Sequence, residues 1–306
     1  MSANVLTGRG RVGVLGLGIM GAAFASNLLT RGYEVHAYDR TRGRADPLLP
    51  RGLIYHATPR ELASQVEVLL TSLTDDRAID AVAHGPDGFL TPPTRTKLWI
   101  DLSTIDPRAS QDQTAAAQKA GVQRLDAPVV GSRDLAERGE LIVLVGGDEK
   151  LYESASPLLH DLGKTVLYLG GAGSGHRMKL IVNLYLGLTA ESLSEALVLS
   201  RKLGFDAKTF FDTINQTPHR NYYSVSKAQK ITEGDFSPSF SLNNLLKDLR
   251  LAVAQAHRAG TALEMSEIVL HRFENAATRG DGPLDFSVVA FELQRENGLS
   301  APRRSS

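Results

Sequence analysis

The chain contains no cysteine, which excludes disulfides, thiolate catalysis and zinc–sulfur sites together, and no metal is expected. It has no excess of either charge. Its 34 Lys and Arg balance 34 Asp and Glu, so no global field recruits nucleic acid or an anionic membrane. Long apolar runs are missing too. The most apolar helix-like stretch, Leu180 to Leu199, is interrupted by Asn183, Glu191, Ser192, Ser194 and Glu195, which rules it out as a membrane span. Residues 1–10 are polar and lack an apolar core, so no secretory signal is visible. These absences lead us to expect a soluble, cytoplasmic protein with neither a nucleic-acid nor a membrane partner. At 306 residues one ordinary core does not suffice, and two domains are expected.

Against that background one segment stands out. The short apolar run Val12 to Leu15 breaks into Gly16-Leu17-Gly18-Ile19-Met20-Gly21 and continues as the helix-like Ala22 to Leu29. Strand, glycines and helix in that order are the context in which G-x-G-x-x-G means dinucleotide binding. Gly16 allows the tight turn, Gly18 lets a pyrophosphate approach the backbone, and Gly21 lets the helix pack on the strand. The helix then offers its N-terminal N–H groups and positive dipole end to the phosphates. A second strand ends at Asp39, about twenty residues on, where a ribose-binding acid belongs.

From Arg11 to Gly170, strand-like and helix-like runs alternate, the pattern of βαβ units around a parallel sheet. Strands are expected at Val12–Leu15, Glu34–Tyr38, Leu53–Tyr55, Val66–Ser72, Lys97–Leu102, Val122–Asp126, Ile142–Val145 and Thr165–Tyr168. Pro107 suits a first helical turn, and Asp148 suits an N-cap. After the glycine cluster at 170–175 strand signals stop. Helix-period segments follow at Arg177–Leu203, Ala207–Asn215, Ser224–Thr232, Leu242–Ala259 and Ala262–Ala277, and 301–306 reads as a disordered tail. The expected fold is an α/β dinucleotide-binding domain over 1–170 and an all-helical domain over 171–306. The long helix from Arg177 would join them, and a second ligand is expected between the domains.

Read together, GLGIMG at 16–21, DLSTIDP at 101–107, DAPVVGS at 126–132, GELIVLVGGD at 139–148, GSGHRMKLIVN at 173–183 and KDLRLA at 247–252 resemble the β-hydroxyacid dehydrogenase family. Within it, the look of residues 131–148 is similar to the glyoxylate/succinic semialdehyde reductase branch. The resemblance implies a Rossmann domain, a helical second domain, and hydride exchange between NAD(P) and a small hydroxy or aldehyde acid. It places a catalytic acid–base lysine at Lys179 with Asn183 one turn on, and substrate-binding groups at Ser103, Gly131 and Ser132. Cofactor contacts fall on the glycine loop, Asp39, Arg40, Thr41, Leu73, Thr74, Thr104, Phe240 and Lys247, with Asp248 beside Lys247. Lysine suits the acid's role because its pKa drops readily on desolvation. Taken alone, Lys179 is a solvated helix lysine, Ser103 and Thr104 a helix cap, Lys247 and Asp248 a surface charge pair, and Phe240 a core ring. The family also forms dimers or tetramers, so a homodimer or homotetramer is expected.

The chain departs from the family at Val130, where a carboxylate-binding serine usually stands. Ser132 or the backbone around Gly131 must substitute, which leaves the identity of the acid open. Cofactor choice is contested as well. Asp39 favours the 2′-OH of NAD, whereas Arg40, Arg42 and Arg44 attract the 2′-phosphate of NADP; the lean is to NADP. Two rival readings are a non-catalytic interaction module, which would have lost the lysine, and an imine reductase, which carries another residue in its place.

Overall fold

The computed structural model describes residues 9–299; the tail expected at 301–306 lies outside them. The chain divides into two units, one ending at Lys179 and one beginning at Leu180.

In the first unit the chain runs β1 (Arg11–Leu15), α1 (Ile19–Thr30), β2 (Glu34–Tyr38), β3 (Ile54–Tyr55), α2 (Pro59–Ala63), β4 (Val68–Thr71), α3 (Asp76–His84), β5 (Leu98–Asp101), α4 (Pro107–Lys119) and β6 (Gln123–Asp126). These strands form one parallel sheet in the order β3-β2-β1-β4-β5-β6. Alternate residues supply separate cores. Val12, Val14, Val68, Leu70, Leu98 and Ile100 face one core, and Leu15, Leu69 and Trp99 the other. A sheet covered on both faces demands such near-continuous apolar strands. The strand order reverses between β1 and β4, which puts the ligand crevice of an open parallel sheet at their carboxyl ends.

The expected single parallel sheet is broken after β6. The chain continues as β7 (Val129–Val130), α5 (Arg133–Arg138), β8 (Ile142–Val145), α6 (Glu149–Leu162) and β9 (Thr165–Tyr168). A second sheet, β7-β8-β9, results, with β7 antiparallel to β8. Pro128 has no N–H to extend the parallel ladder, and its carbonyl instead accepts from Leu144 N at 2.9 Å. Asp148 caps α6 by accepting from Leu151 N, and Pro107 opens α4 behind the cap of Asp106.

α7 (Ser174–Lys202) carries the chain into the second unit. That unit continues with α8 (Ala207–Ile214), α9 (Tyr222–Glu233), α10 (Leu242–Arg258), α11 (Glu264–Ala276) and α12 (Val289–Glu296). Phe211, Tyr223, Leu245, Leu249, Phe273 and Phe291 belong to its core. Asp206, Asn221 and Ser241 cap α8, α9 and α10 through their side chains. Val289 to Gln294 of α12 are all buried, Glu292 and Gln294 among them. No strand follows β9 among the described residues. Nor, among them, is any helix long and apolar enough to cross a membrane.

Candidate active site

The glycine loop turns where the sequence placed it. Gly16 has φ +99°, a region costly for any side chain, and a Cβ there would overlap the Ser72 carbonyl oxygen. A Cβ on Gly21 would overlap the Gly16 carbonyl oxygen. Gly18 differs. A Cβ there meets nothing within 4 Å, and no side chain caps the start of α1. Uncapped helix N–H groups behind open space at a glycine are what an incoming phosphate requires, so the residues present fit a dinucleotide.

Asp39 closes the loop from the side. Its Oδ2 accepts from Leu17 N at 2.7 Å and its Oδ1 from Thr41 N at 2.7 Å, and Arg44 Nη1 lies 3.4 Å from Oδ2. The carboxylate is buried while Arg40, Thr41, Arg42 and Arg44 are exposed. Arg42 pairs with Asp46 and covers the Tyr55 ring. The acid therefore faces the backbone, and the arginines line the outside of the turn.

A buried polar network lies across the carboxyl ends of the central strands. Leu73, half-buried after β4, donates its N–H to Ser103 Oγ at 2.9 Å; Thr74 beside it is exposed. Asp101, at the end of β5, accepts from Thr71 Oγ1 at 2.8 Å, Ser103 N at 3.1 Å and Arg124 Nη2 at 2.7 Å. The Arg124 guanidinium stacks 4.4 Å over Trp99. Burial alone would raise the Asp101 carboxyl, but the Arg124 charge and the Ser103 and Thr71 hydrogen bonds hold it below the usual carboxylate range. Asp126, at the end of β6, accepts from Gly173 N at 2.8 Å and His176 N at 3.1 Å, both at the start of α7. His176, fully buried, reaches the Ser103 carbonyl with Nε2 at 3.0 Å. Desolvation holds this imidazole below its ordinary pKa, so it is neutral and carries its proton on Nε2. Its 3.6 Å approach to Asp126 is then not an ion pair, and Nδ1 has no hydrogen-bond partner.

Lys179, half-buried, lies one turn before Asn183 on α7. In the second unit Asn183 is buried and donates Nδ2–H to Asp248 Oδ2 at 2.6 Å. Lys247 Nζ pairs with Asp248 Oδ1 at 2.7 Å. The structure thus joins Asn183 and Lys247 through one buried carboxylate, a link between residues far apart in sequence. Phe240 sits edge-on to Phe286, with ring centroids 5.8 Å apart, in that unit's aromatic core.

Gly131 has φ +142°, and a Cβ there would lie 2.5 Å from Leu141 Cδ2. Ser132 precedes α5, and its hydroxyl makes no capping hydrogen bond. Thr104 is half-buried beside Ser103. Asp101, Arg124 and His176 had drawn no role from the sequence. The available signal was charge where the apolar strands end, in LWID and QRLD, and the histidine inside GSGHRMKLIVN.

Residues 11–170 match the family model described as the NAD binding domain of 6-phosphogluconate dehydrogenase. Residues 173–292 match the one described as the NAD-binding of NADP-dependent 3-hydroxyisobutyrate dehydrogenase. Glyoxylate/succinic semialdehyde reductase 1 of Arabidopsis thaliana is 34% identical, over 93% of this chain and 99% of that protein. The solved 3-hydroxyisobutyrate dehydrogenase of Mycobacterium tuberculosis, with L-serine, superimposes with a TM-score of 0.80 at 29% identity, over 93% of this chain and 99% of that one. Psf3 in complex with NADP+ and 2-OPP gives 0.84 at 27% identity, over 92% and 99%. Imine reductases stand further off; that of Myxococcus stipitatus, at 19% identity and 0.64, shares the fold alone. A glycine loop built for a dinucleotide and two family models that run almost end to end lead to the same place: the chain is an NAD(P)-dependent oxidoreductase and belongs to the β-hydroxyacid dehydrogenase family.

Proposed function

We propose that this enzyme reduces a small aldehyde or keto acid of the glyoxylate or succinic semialdehyde type, and oxidises the matching hydroxy acid in reverse, with Lys179 as the general acid–base. The observation that supports this reading is the place of Lys179 on α7 one turn before Asn183, whose amide is fixed by a hydrogen bond to buried Asp248. The bound nicotinamide supplies or accepts the hydride. As negative charge grows on the carbonyl oxygen, Lys179 Nζ hands it a proton; in the other direction the neutral amine takes the proton from the hydroxyl. A positioned acid of this kind contributes on the order of 10²–10⁴ in rate. Asn183, oriented by Asp248, holds the ammonium or the substrate oxygen through its Oδ1. Lys247 offsets the Asp248 charge.

Ser103, Gly131 and Ser132 receive the substrate carboxylate. With Val130 unable to donate, Ser132 and the adjoining backbone N–H groups take over that work. Gly16, Leu17, Gly18, Ile19, Met20 and Gly21 cradle the pyrophosphate. Leu73, Thr74, Thr104, Phe240 and Lys247 contact the rest of the cofactor. Asp39 and Thr41 border the adenosine ribose, and Arg40 meets a 2′-phosphate. The inward turn of Asp39 and the exposure of Arg40 support NADP over NAD. We assign 1–170 to nucleotide binding and 171–306 to the helical substrate and assembly domain. Exposed Tyr185, Leu199, Leu203, Met265 and Ile268 in the second unit support a homodimer or homotetramer, and the cysteine-free composition supports a cytoplasmic protein.

The test is oxidation of NADPH and NADH against glyoxylate, succinic semialdehyde, methylmalonate semialdehyde and tartronate semialdehyde, with 3-hydroxyisobutyrate and serine run in reverse. Turnover of glyoxylate or succinic semialdehyde with NADPH is expected. Activity confined to cyclic imines would overturn the reading.

A further inference from the structure

His176 is a buried group that the chemistry above does not use, yet it sits three residues before Lys179. On a helix that spacing puts the two on neighbouring faces, about 4.5 Å apart along the axis. Asp126 holds the backbone N–H groups of Gly173 and His176 at 2.8 and 3.1 Å, which anchors the start of α7 to β6. Gly175 packs so closely that a Cβ there would overlap the Leu144 carbonyl oxygen, and neither this contact nor the Asp126 anchor reaches β4 or β5. The imidazole supplies the point on that side. Its Nε2 donates to the Ser103 carbonyl at 3.0 Å, and the same serine receives Leu73 N on its hydroxyl at 2.9 Å. Through this one side chain the first turn of α7 is locked to the ends of β4 and β5.

We infer that His176 is a positioning residue. Its Nε2–H bond to Ser103 fixes the rotation of α7 on the sheet and so holds Lys179 in register with the Ser103–Thr104 segment. The inference rests on the proposed role of Lys179 and adds to it the group that aims the ammonium. A misplacement of about 1 Å at a reacting centre costs on the order of 10²-fold, so a loose helix start is felt in turnover well before it is felt in folding.

Two polar variants of different reach test this. Glutamine extends an amide N–H to about the position of imidazole Nε2, whereas asparagine falls short. With NADPH and whichever of glyoxylate or succinic semialdehyde the parent turns over faster, His176→Asn is expected to lose at least tenfold in kcat. Its KM should stay within threefold of the parent's, as should its NADPH Kd. The primary isotope effect from 4-deuterated NADPH should rise as the chemical step becomes limiting. His176→Gln should recover to within threefold of the parent. Hydrogen exchange at residues 173–180 should quicken in His176→Asn and not in His176→Gln, a readout that needs no turnover. Acting through the lysine, His176→Asn in a Lys179→Ala background should cost nothing more. Equal kcat in the two variants, or a full additive loss in the double variant, overturns the positioning role while leaving Lys179 in place. Normal turnover by Lys179→Ala alone overturns the proposed chemistry instead.

Discussion

Gly18→Ala separates fold from ligand in one substitution. Gly18 has φ −67° and ψ −169°, a region any residue adopts, and an added methyl meets no protein atom within 4 Å. Alanine is a poorer N-cap than glycine, but it also restricts the unfolded chain, worth about 0.4–1 kcal/mol in the opposite sense. The unliganded protein should therefore change by less than about 1 kcal/mol, or roughly 3 °C in Tm. The methyl instead occupies the space a pyrophosphate needs to reach the N–H groups of α1. Losing one hydrogen bond to a charged group costs about 1.5–3 kcal/mol, so the Kd for NADPH should rise roughly tenfold to a hundredfold. Gly21→Ala is the contrast, because its methyl overlaps the Gly16 carbonyl oxygen and overpacking costs about 1–3 kcal/mol before any ligand is added. Thermal unfolding of the unliganded variants and calorimetric titration with NADPH make the comparison. Normal NADPH binding by Gly18→Ala, or unfolding as early as Gly21→Ala, would refute the reading of the loop.

Asp39→Asn removes the charge that opposes a 2′-phosphate while keeping one acceptor for Leu17 N, so the NADPH-to-NADH affinity ratio should rise about tenfold in parallel titrations; a fall in NADPH affinity would count against that placement. Glu191 is pushed up to about 7 by burial, reinforced by Glu195 and opposed by Arg272, whose Nε stands 3.2 Å away without making an aligned hydrogen bond. The folded state then keeps a proton that the unfolded state releases near its ordinary value of 4.5, so stability declines as pH rises from there to about 7, by up to about 3 kcal/mol. Urea unfolding at pH 5 and pH 8 should show that decline in the parent and a flatter profile in Glu191→Gln; parallel profiles would mean that Glu191 titrates elsewhere.

The parts of this protein that could be read from the chain were those set by local chemistry. Gly16 to Gly21 announced its turn because glycine spacing and the flanking strand and helix are contiguous. Asp148 and Pro107 announced helix starts for the same reason. The family motifs drew attention to Lys179 with Asn183 and to Lys247 with Asp248 as two separate pairs. That Asn183 and Lys247 meet on Asp248 follows only from packing α7 against α10. β7 went unseen because its two residues stand between Pro128 and Gly131, and α12 because its buried run takes in Glu292 and Gln294 beside the apolar residues. The network of Asp101, Arg124, Asp126 and His176 was invisible for a different reason. Its members are spread over β5, β6 and the start of α7, and their partnership exists only once the strand order has brought β4, β5 and β6 side by side.

Lys179→Ala, assayed by single turnover with NADPH already bound, puts the proposed chemistry at risk most directly. The variant should bind NADPH within about twofold of the parent's Kd and lose at least about 100-fold in the hydride step, with a small primary amine added to solution restoring part of it. Near-normal transfer with the cofactor bound would remove Lys179 from the mechanism.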